Sequence, residues 1–321
     1  IAEDAKKWIL NRKKTDKPWV LFVSFVCPHF PLIAPEEFYN MYPENEMPWP
    51  ILYEEEKRSQ HPYYKAMRKC MNYDDYFDEE KVRKATSAYF GLCSFLDHNI
   101  GIVLSALENS EFSDETNIIY TSDHGDALGM RGMWGKSTMF EESAGVPMII
   151  KGPNVPKSKK SKTPVSLVDI FPTVIDSLKL VENPIDNNLP GMSLLKISNE
   201  KDDYERIVLS EYHAAASPVG AFMLRKGKYK YVYFAEGYSS QLFNLEEDQY
   251  EENDLALDLN YKAILKDFYG HLIKICDPEE VNKRAKTEQL ETIEKHGGVE
   301  TIMGRGDFGY SPAPGQKPEF D

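Results

Sequence analysis

The sequence is poor in cysteine, in basic residues and in long apolar runs, and each shortage excludes a class of protein. Four cysteines are spread over 321 residues without a C-x-x-C spacing, which excludes a disulfide-rich scaffold and a cysteine-type zinc site. Acidic residues outnumber basic residues by 52 to 38, giving a net charge of −14, so the basic surface typical of nucleic-acid-binding proteins is not expected. No run approaches the ~18 consecutive apolar residues of a membrane-spanning helix, so we expect no membrane partner.

The apolar residues that are present suffice for a large core. They make up 41% of the chain, and 321 residues allow one large domain or two of ordinary size. Residues 19–26 form a near-continuous run of β-branched and aromatic residues, which predicts a strand buried on both faces. Residues 117–121 and 146–150 predict two more buried strands, and helical periodicity covers residues 78–110 and 166–180. This alternation predicts an α/β fold.

The regions outside this alternation have other patterns. Residues 32–77 are rich in proline, tyrosine and charge without a sustained period, which predicts a long irregular excursion over the surface. Around Lys226-Gly227-Lys228 the pattern predicts a β-hairpin, and residues 261–275 and 278–295 predict helices. We therefore divide the chain into part of an α/β domain (1–200), a smaller C-terminal α+β subdomain with an antiparallel sheet (201–303) and an extended tail (304–321).

The segment Ser122-Asp123-His124-Gly125-Asp126 directly follows the second predicted strand. Ligands of open α/β sheets bind beyond the carboxyl ends of strands. A carboxylate beside an imidazole can hold one divalent cation there if a tight turn, which Gly125 permits, directs both outward. The alternative is structural: Asp123 caps the next turn and His124 binds the backbone. The residues alone leave both interpretations open.

Two single residues near strand ends are further candidates. Lys136, beside Gly135 and two hydroxyl residues, can hold a tetrahedral anion, because an ammonium offers three rotatable donors. His29, between Pro28 and Pro31 after the first predicted strand, can donate a proton to a leaving oxygen or bind an anion. The alternatives are an ordinary surface lysine and a structural histidine.

Together these segments resemble the sulfatase branch of the alkaline-phosphatase-like superfamily. The resemblance covers residues 17–233 and rests on the order and spacing of Pro28-His29-Phe30-Pro31, of the segment from Ser122 to Lys136, and of Val168-Asp169-Ile170-Phe171-Pro172-Thr173. An Asp-His pair, where most sulfatases have Asp-Asn, is similar to choline sulfatases and phosphonate monoester hydrolases. The segment Ser210-Glu211-Tyr212-His213 is also similar to choline sulfatases. The implied fold is a central mixed sheet flanked by helices.

The resemblance implies a role for each candidate. Asp123 and His124 would be two ligands of a divalent cation, with calcium expected first and manganese second. Lys136 would bridge the sulfate oxygens and the nucleophile, and His29 would contact the sulfate and assist departure of the alcohol. The family's nucleophile is a formylglycine made from the first residue of a C/S-x-P/A-x-R motif.

That motif is absent from the 321 residues, and so are the other metal carboxylates of the family. We therefore expect a fragment of a metal-dependent sulfuric ester hydrolase, inactive by itself, whose formylglycine lies upstream. The alternatives are a phosphonate monoester or phosphodiester hydrolase and a non-catalytic binding protein without a nucleophile. We expect a small-molecule sulfate ester as substrate and a homo-oligomer formed through the tail. The sequence does not decide the compartment.

Overall fold

The computed structural model describes residues 1–15, 17–181 and 183–306. The α-helices in this part of the chain are α1 (Ala2–Leu10), α2 (Glu36–Tyr39), α3 (Pro62–Met71), α4 (Glu79–Glu108), α5 (Glu141–Ala144), α6 (Ile170–Ser177), α7 (Leu194–Asn199), α8 (Lys262–Ile275), α9 (Pro278–Lys295) and α10 (Gly298–Met303). Short 3-10 helices occupy Glu44–Glu46, Glu55–Lys57, Tyr73–Asp75, Met130–Gly132, Leu167–Asp169, Pro184–Asn188, Leu255–Leu257 and Leu259–Tyr261.

The strands of the described residues form two antiparallel sheets. The smaller sheet pairs β1 (Ile118–Thr121) with β2 (Met148–Lys151). The larger sheet has the sequential order β3 (Ile207–Tyr212), β4 (Ala221–Lys226), β5 (Tyr229–Phe234) and β6 (Gln241–Asn244). The predicted hairpin is confirmed: Lys226 pairs with Tyr229 across a two-residue turn, in which Gly227 has a φ of +52°.

The prediction of a doubly buried strand at residues 19–26 is wrong for the described structure. The segment pairs with no strand among the described residues, and its side chains are alternately half-buried and exposed. Trp19 and Leu21 pack against α1 and the end of α4, whereas Phe22 and Val26 are 87% and 73% exposed. Burial of the second face requires elements covering it, which the apolar pattern alone cannot provide.

The prediction of a surface excursion at residues 32–77 is also wrong in part. This region contains α3, whose Tyr63, Tyr64 and Met67 are almost fully buried. Pro62 begins the helix, where a missing N–H costs nothing, and the His61 side chain caps it by accepting from the Tyr63 N–H. The buried positions lie three and four residues apart, so they form one face, but the run is too short to stand out in a proline-rich sequence.

The long helix predicted at residues 78–110 is confirmed as α4. The Asp78 side chain accepts from the Lys81 N–H at 2.9 Å and caps its first turn. By length and composition alone α4 could also cross a membrane, and 22% of its most apolar window is buried. Core helices of water-soluble proteins meet the same criteria, and α4 packs against α1 and α2. The expectation of no membrane partner stays a prediction.

The four-stranded sheet has an apolar cluster on each face. Alternation along β4 directs Phe222 and Leu224 towards Phe268 and Leu272 of α8. Ala221 and Met223 point the other way, into a cluster that includes Tyr63, Tyr64 and Met67 of α3, together with Met139 and Phe140. The second cluster therefore joins the C-terminal sheet to the segments that precede it.

Ion pairs made by Lys230 and Arg206 reinforce this junction. The Lys230 ammonium, 0% exposed, lies 2.9 Å from Glu141 at the start of α5 and 2.8 Å from Glu251. Glu251 is almost fully buried, although it lies in a run of acidic residues between β6 and α8. Arg206 pairs with the fully buried Asp169 at 2.6 Å. Removing one member of such a pair leaves an unpaired buried charge, which costs about 3–5 kcal/mol.

The domain boundaries predicted at residues 200 and 303 are not tested by these contacts and stay predictions. Of the predicted tail, residues 307–321 lie outside the described part of the chain.

The cap of α3 predicts a pH-dependent stability. His61 Nε2 lies 2.8 Å from the Ser239 carbonyl oxygen, which can only accept, so Nε2 carries the proton and Nδ1 is left to cap the helix. Burial lowers the pKa of His61. Below the unfolded pKa of about 6.5 the unfolded chain takes up a proton that the folded chain resists. The stabilisation by His61 is therefore present above that pH and is lost as the pH falls.

Urea unfolding of the wild type and of His61→Asn at pH 8 and pH 5.5 tests this cap. Asparagine can still cap the helix but does not titrate, so the variant should gain stability relative to the wild type on acidification. His98→Asn, at an exposed position of α4, is the matched control and should show no such trend. An equal pH dependence of the wild type and His61→Asn would contradict the assignment.

Candidate functional site

The four candidate residues lie in one cluster. His29 follows residues 19–26, Asp123 and His124 follow β1, and Lys136 lies in the loop before α5. The Lys136 Nζ is 2.5 Å from Nε2 of His29, and the ring centroids of His29 and His124 are 5.9 Å apart. His124 Nε2 is in turn 3.6 Å from Oδ2 of Asp123. The structure thus brings together all four residues singled out in the sequence, although proximity does not test their roles.

Backbone contacts fix the tautomers of both histidines. His29 Nδ1 is 2.8 Å from the carbonyl oxygen of Phe30, and His124 Nδ1 is 2.7 Å from that of Gly125. Because a carbonyl oxygen can only accept, each Nδ1 carries a proton. In the neutral rings the Nε2 lone pairs are therefore free, one facing Lys136 and the other facing Asp123. Such a backbone contact is typical of histidines that orient a free Nε2 for a ligand.

Gly125 is needed because of a close approach, not because of its φ. An added Cβ would lie 2.1 Å from the carbonyl oxygen of Glu142, and the Gly125 N–H donates to the Ser143 carbonyl at 2.8 Å. The sequence indicated a tight turn that Gly125 would permit; the structure shows instead that a Cβ at this position would not fit against the start of α5. This contact sets the position of Asp123 and His124 relative to the rest of the site.

Asp126 is a site residue whose role the sequence did not reveal. Its Oδ1 accepts from the Leu128 N–H at 2.8 Å and from the Gly135 N–H at 3.0 Å. It therefore ties the turn that carries His124 to the residue preceding Lys136. Its position next to the Asp-His pair was the available signal, but a motif does not say which acid binds a ligand and which binds the backbone.

Tyr212 is a second site residue whose role the sequence did not reveal. Its hydroxyl forms a 2.7 Å hydrogen bond with the Ser137 hydroxyl and lies 3.1 Å from the Ala215 carbonyl oxygen. Ser137, next to Lys136, has a φ of +93°, which non-glycine residues rarely adopt. The neighbouring His213 lies away from the cluster, with its ring against Phe222 and Gly220.

The two thiols near the site are not poised as nucleophiles. Burial, with the negative charge of Asp126 and the neighbouring Cys27 adding to it, raises the pKa of Cys93 to about 11. Burial also raises the pKa of Cys27. Both groups stay protonated near neutral pH, and it is the thiolate that attacks an electrophile.

The cluster fits part of a metal site. Asp123 Oδ2 and His124 Nε2 are close enough for both to reach one ion, and the Asp123 side chain is 83% exposed, so it can be approached. Within residues 1–15, 17–181 and 183–306, no group of three or more His, Cys, Asp or Glu is arranged to hold a metal ion. A hard cation such as calcium takes six to eight oxygen ligands, so of these two donors only the Asp123 carboxylate is of the preferred kind, and most ligands would have to come from other groups.

The chain is similar to known sulfatases over most of its length. A family model described as Sulfatase matches residues 1–180, and one described as N-sulphoglucosamine sulphohydrolase, C-terminal, matches residues 129–295. A choline-sulfatase of Rhizobium meliloti (strain 1021) is 36% identical over 255 residues, covering 78% of this chain and 49% of that protein. Arylsulfatase K of Danio rerio is 33% identical over 235 residues, covering 70% and 44%. The chain thus spans about half the length of the curated relatives it matches.

The chain is also similar to solved structures. The crystal structure of a phosphonate monoester hydrolase of Agrobacterium radiobacter matches with a TM-score of 0.68 and 25% identity, covering 85% of this chain and 59% of that one. This likeness confirms the α/β fold class predicted from the sequence.

The close packing of Gly125 predicts a strong effect of one methyl group. Gly125→Ala places a Cβ against the Glu142 carbonyl, so we expect a loss of about 2–3 kcal/mol in the free energy of unfolding, measured in urea. Gly101→Ala is the matched control, because its Cβ meets nothing within 4 Å on α4. It should stabilise the protein by about 0.5–1 kcal/mol. Equal effects of the two substitutions would contradict the packing argument.

Proposed function

Because the chain belongs to the sulfatase family, we propose that it forms the oxyanion-binding and part of the metal-binding side of a sulfuric ester hydrolase. The observation that supports this best is the convergence of Asp123, His124, His29 and Lys136 on one cluster. The family relation supports the class of reaction, and the convergence of the four side chains supports this choice of residues.

Lys136 and His29 have complementary roles in this proposal. The Lys136 ammonium has three N–H donors, so the one directed at His29 leaves others for the oxygens of a sulfate ester. Developing negative charge on those oxygens would be stabilised by the ammonium in a partly buried site. When its ring is doubly protonated, His29, held through Nδ1, can deliver the Nε2 proton to the leaving alcohol oxygen, which leaves the ring neutral with its proton on Nδ1.

Asp123 and His124 would hold a divalent cation together with donors from outside these 321 residues. Calcium is the first expectation and manganese the second. When bound, such a cation neutralises charge on the ester and lowers the pKa of a coordinated oxygen. The contribution of this chain is to fix the two donors: the Gly125 carbonyl holds the His124 ring, and the Ser122 hydroxyl donates to the His124 carbonyl oxygen at 2.8 Å.

The nucleophile is proposed to be a formylglycine supplied from outside the 321 residues. Within them no Cys or Ser stands at the start of a C/S-x-P/A-x-R motif. The high pKa of Cys93 and the raised pKa of Cys27 also argue against a thiolate substitute. The 321-residue chain alone is therefore expected to bind ligands without turning them over.

A second candidate is a phosphonate monoester or phosphodiester hydrolase. It is favoured by the structural match to a protein of the first kind, since a lysine, a histidine and a metal ion serve both phosphorus and sulfur esters. A non-catalytic binding protein is the third reading, and it is favoured by the missing nucleophile motif. The small-molecule substrate and a homo-oligomer formed through residues 304–321 stay predictions.

The role of Lys136 is tested by Lys136→Met in the protein that includes the nucleophile segment. Loss of a charged donor at the developing oxyanion should lower kcat/KM for an aryl sulfate by about 10²–10³-fold. Lys160→Met, at an exposed loop position, is the matched control and should leave kcat/KM unchanged. Equal rates for Lys136→Met and wild type would contradict the site. A preference of the wild type for a phosphonate monoester would favour the second candidate.

The metal-binding role is tested on the 321-residue chain by titration with Mn²⁺. The paramagnetic ion should broaden the NMR signals of Asp123 and His124 first, because their donors lie 3.6 Å apart. The chain offers a matched control in the exposed pair Asp97-His98 on α4, where successive side chains diverge around the helix. Asp123→Asn should abolish the preferential broadening of the Asp123 and His124 signals, and Asp97→Asn should leave it unchanged. Equal broadening of both pairs would contradict the assignment.

A further inference from the structure

Hydrogen bonds hold the loop that carries Lys136 on both sides of Ser137. On one side, the Gly135 N–H donates to Asp126, and the Gly135 carbonyl accepts from the Ala127 N–H at 2.6 Å. On the other, the Thr138 N–H donates to the Ser143 hydroxyl at 3.4 Å. Both anchors belong to the segment 126–143 itself. The direction of the Lys136 side chain is decided between them.

Ser137 holds an unusual backbone conformation between these anchors. Ser137 has a φ of +93° and Gly135 a φ of +70°, so the residues on both sides of Lys136 have a positive φ. Glycine adopts positive φ freely, but for serine this region is strained, and it persists only where the surroundings impose it. The Ser137 hydroxyl reaches one group outside its own segment, the hydroxyl of Tyr212 at 2.7 Å.

Tyr212 is itself rigidly placed. It is the last residue of β3, paired with Ala221 of β4, and its ring packs against the apolar cluster formed by α3 and the C-terminal sheet. Its hydroxyl lies 3.1 Å from the Ala215 carbonyl oxygen. Strand pairing, ring packing and a second polar contact all restrict the movement of Tyr212. It can therefore serve as a fixed point for a strained loop.

We propose that Tyr212 is the positioning residue of the site: through Ser137 it maintains the backbone that directs Lys136 at His29. In the Ser210-Glu211-Tyr212-His213 segment, the tyrosine therefore serves the site and the histidine does not. Tyr212 touches no reacting atom. The inference rests on the proposed function only for what Lys136 then does, not for how Lys136 is oriented.

Three variants test the proposal on the 321-residue chain: Tyr212→Phe, Ser137→Ala and the double variant. Tyr238→Phe is the matched control, because Tyr238 packs on the same cluster and its ring lies beside His61 instead of the site. Thermal unfolding checks the fold of each variant. The ¹⁵N resonance of His29 Nε2 reports on the contact with Lys136, and Lys136→Met gives its position when the lysine is gone. Calorimetry with inorganic sulfate reports on oxyanion binding.

Tyr212→Phe should move the His29 Nε2 resonance towards its position in Lys136→Met and weaken sulfate binding about fivefold, the size of one neutral hydrogen bond. Ser137→Ala should do the same, and the double variant should add nothing, because both substitutions remove one interaction. Tyr238→Phe should leave both readouts at their wild-type values.

Additive effects, or a His29 resonance that Tyr212→Phe leaves in place, would overturn the proposal. If the resonance moves as expected while the wild type binds no sulfate, the positioning role stands and the proposed function fails. The two ideas are therefore separable in one set of measurements.

Discussion

The geometry of the site depends first on one carboxylate oxygen, which links the turn that bears Asp123 and His124 to the loop that bears Lys136. Oδ1 of Asp126 accepts N–H groups from both ends of the loop 128–135, so the turn bearing Asp123 and His124 and the residue preceding Lys136 keep a fixed separation. A hydrogen bond to a charged group contributes about 1.5–3 kcal/mol, so the two bonds offset part of the conformational entropy lost when the loop is ordered. The adjacent Gly125 lets this turn lie directly on the start of α5. Gly125 and Asp126 thus fix the backbone of the motif. Asp123 and His124 contact the backbone through Oδ1 and Nδ1, and their Oδ2 and Nε2 atoms face each other at 3.6 Å.

The C-terminal sheet holds the same segment from the other side. Lys230 and Glu251 bind the first residue of α5, where the Glu141 N–H donates to Glu251 at 2.7 Å. Arg131, almost fully buried, pairs with Glu142 and donates to the Tyr250 carbonyl. Residues 131–142 therefore lie between the Asp-His turn and strands formed some 90 residues later in the chain. The C-terminal sheet is therefore part of the support of the site.

Much of the fold could be predicted from local pattern. The helices α4, α8 and α9 and the hairpin of β4 and β5 have a clear period and a recognisable start or turn, and all were found at their predicted places. The pattern failed where burial depends on distant elements: residues 19–26 look like a core strand but keep one face exposed, and α3 looks like a loop but enters the core. The deciding contacts of α3 are with distant residues such as Phe140 and Phe234, whereas no element among the described residues covers the second face of residues 19–26. Periodicity records neither fact.

The sequence by itself determined the family, the fold class and the four candidate side chains, because their types and order are local properties that survive without coordinates. Only the tertiary structure decided that these side chains meet, which nitrogen of each histidine is free, and that Asp126 and Tyr212 support the site. Those facts depend on distances between segments, such as the 2.5 Å between His29 and Lys136, which are 107 positions apart in the chain. Short-range patterning specifies elements; the packing of those elements specifies where their polar groups point.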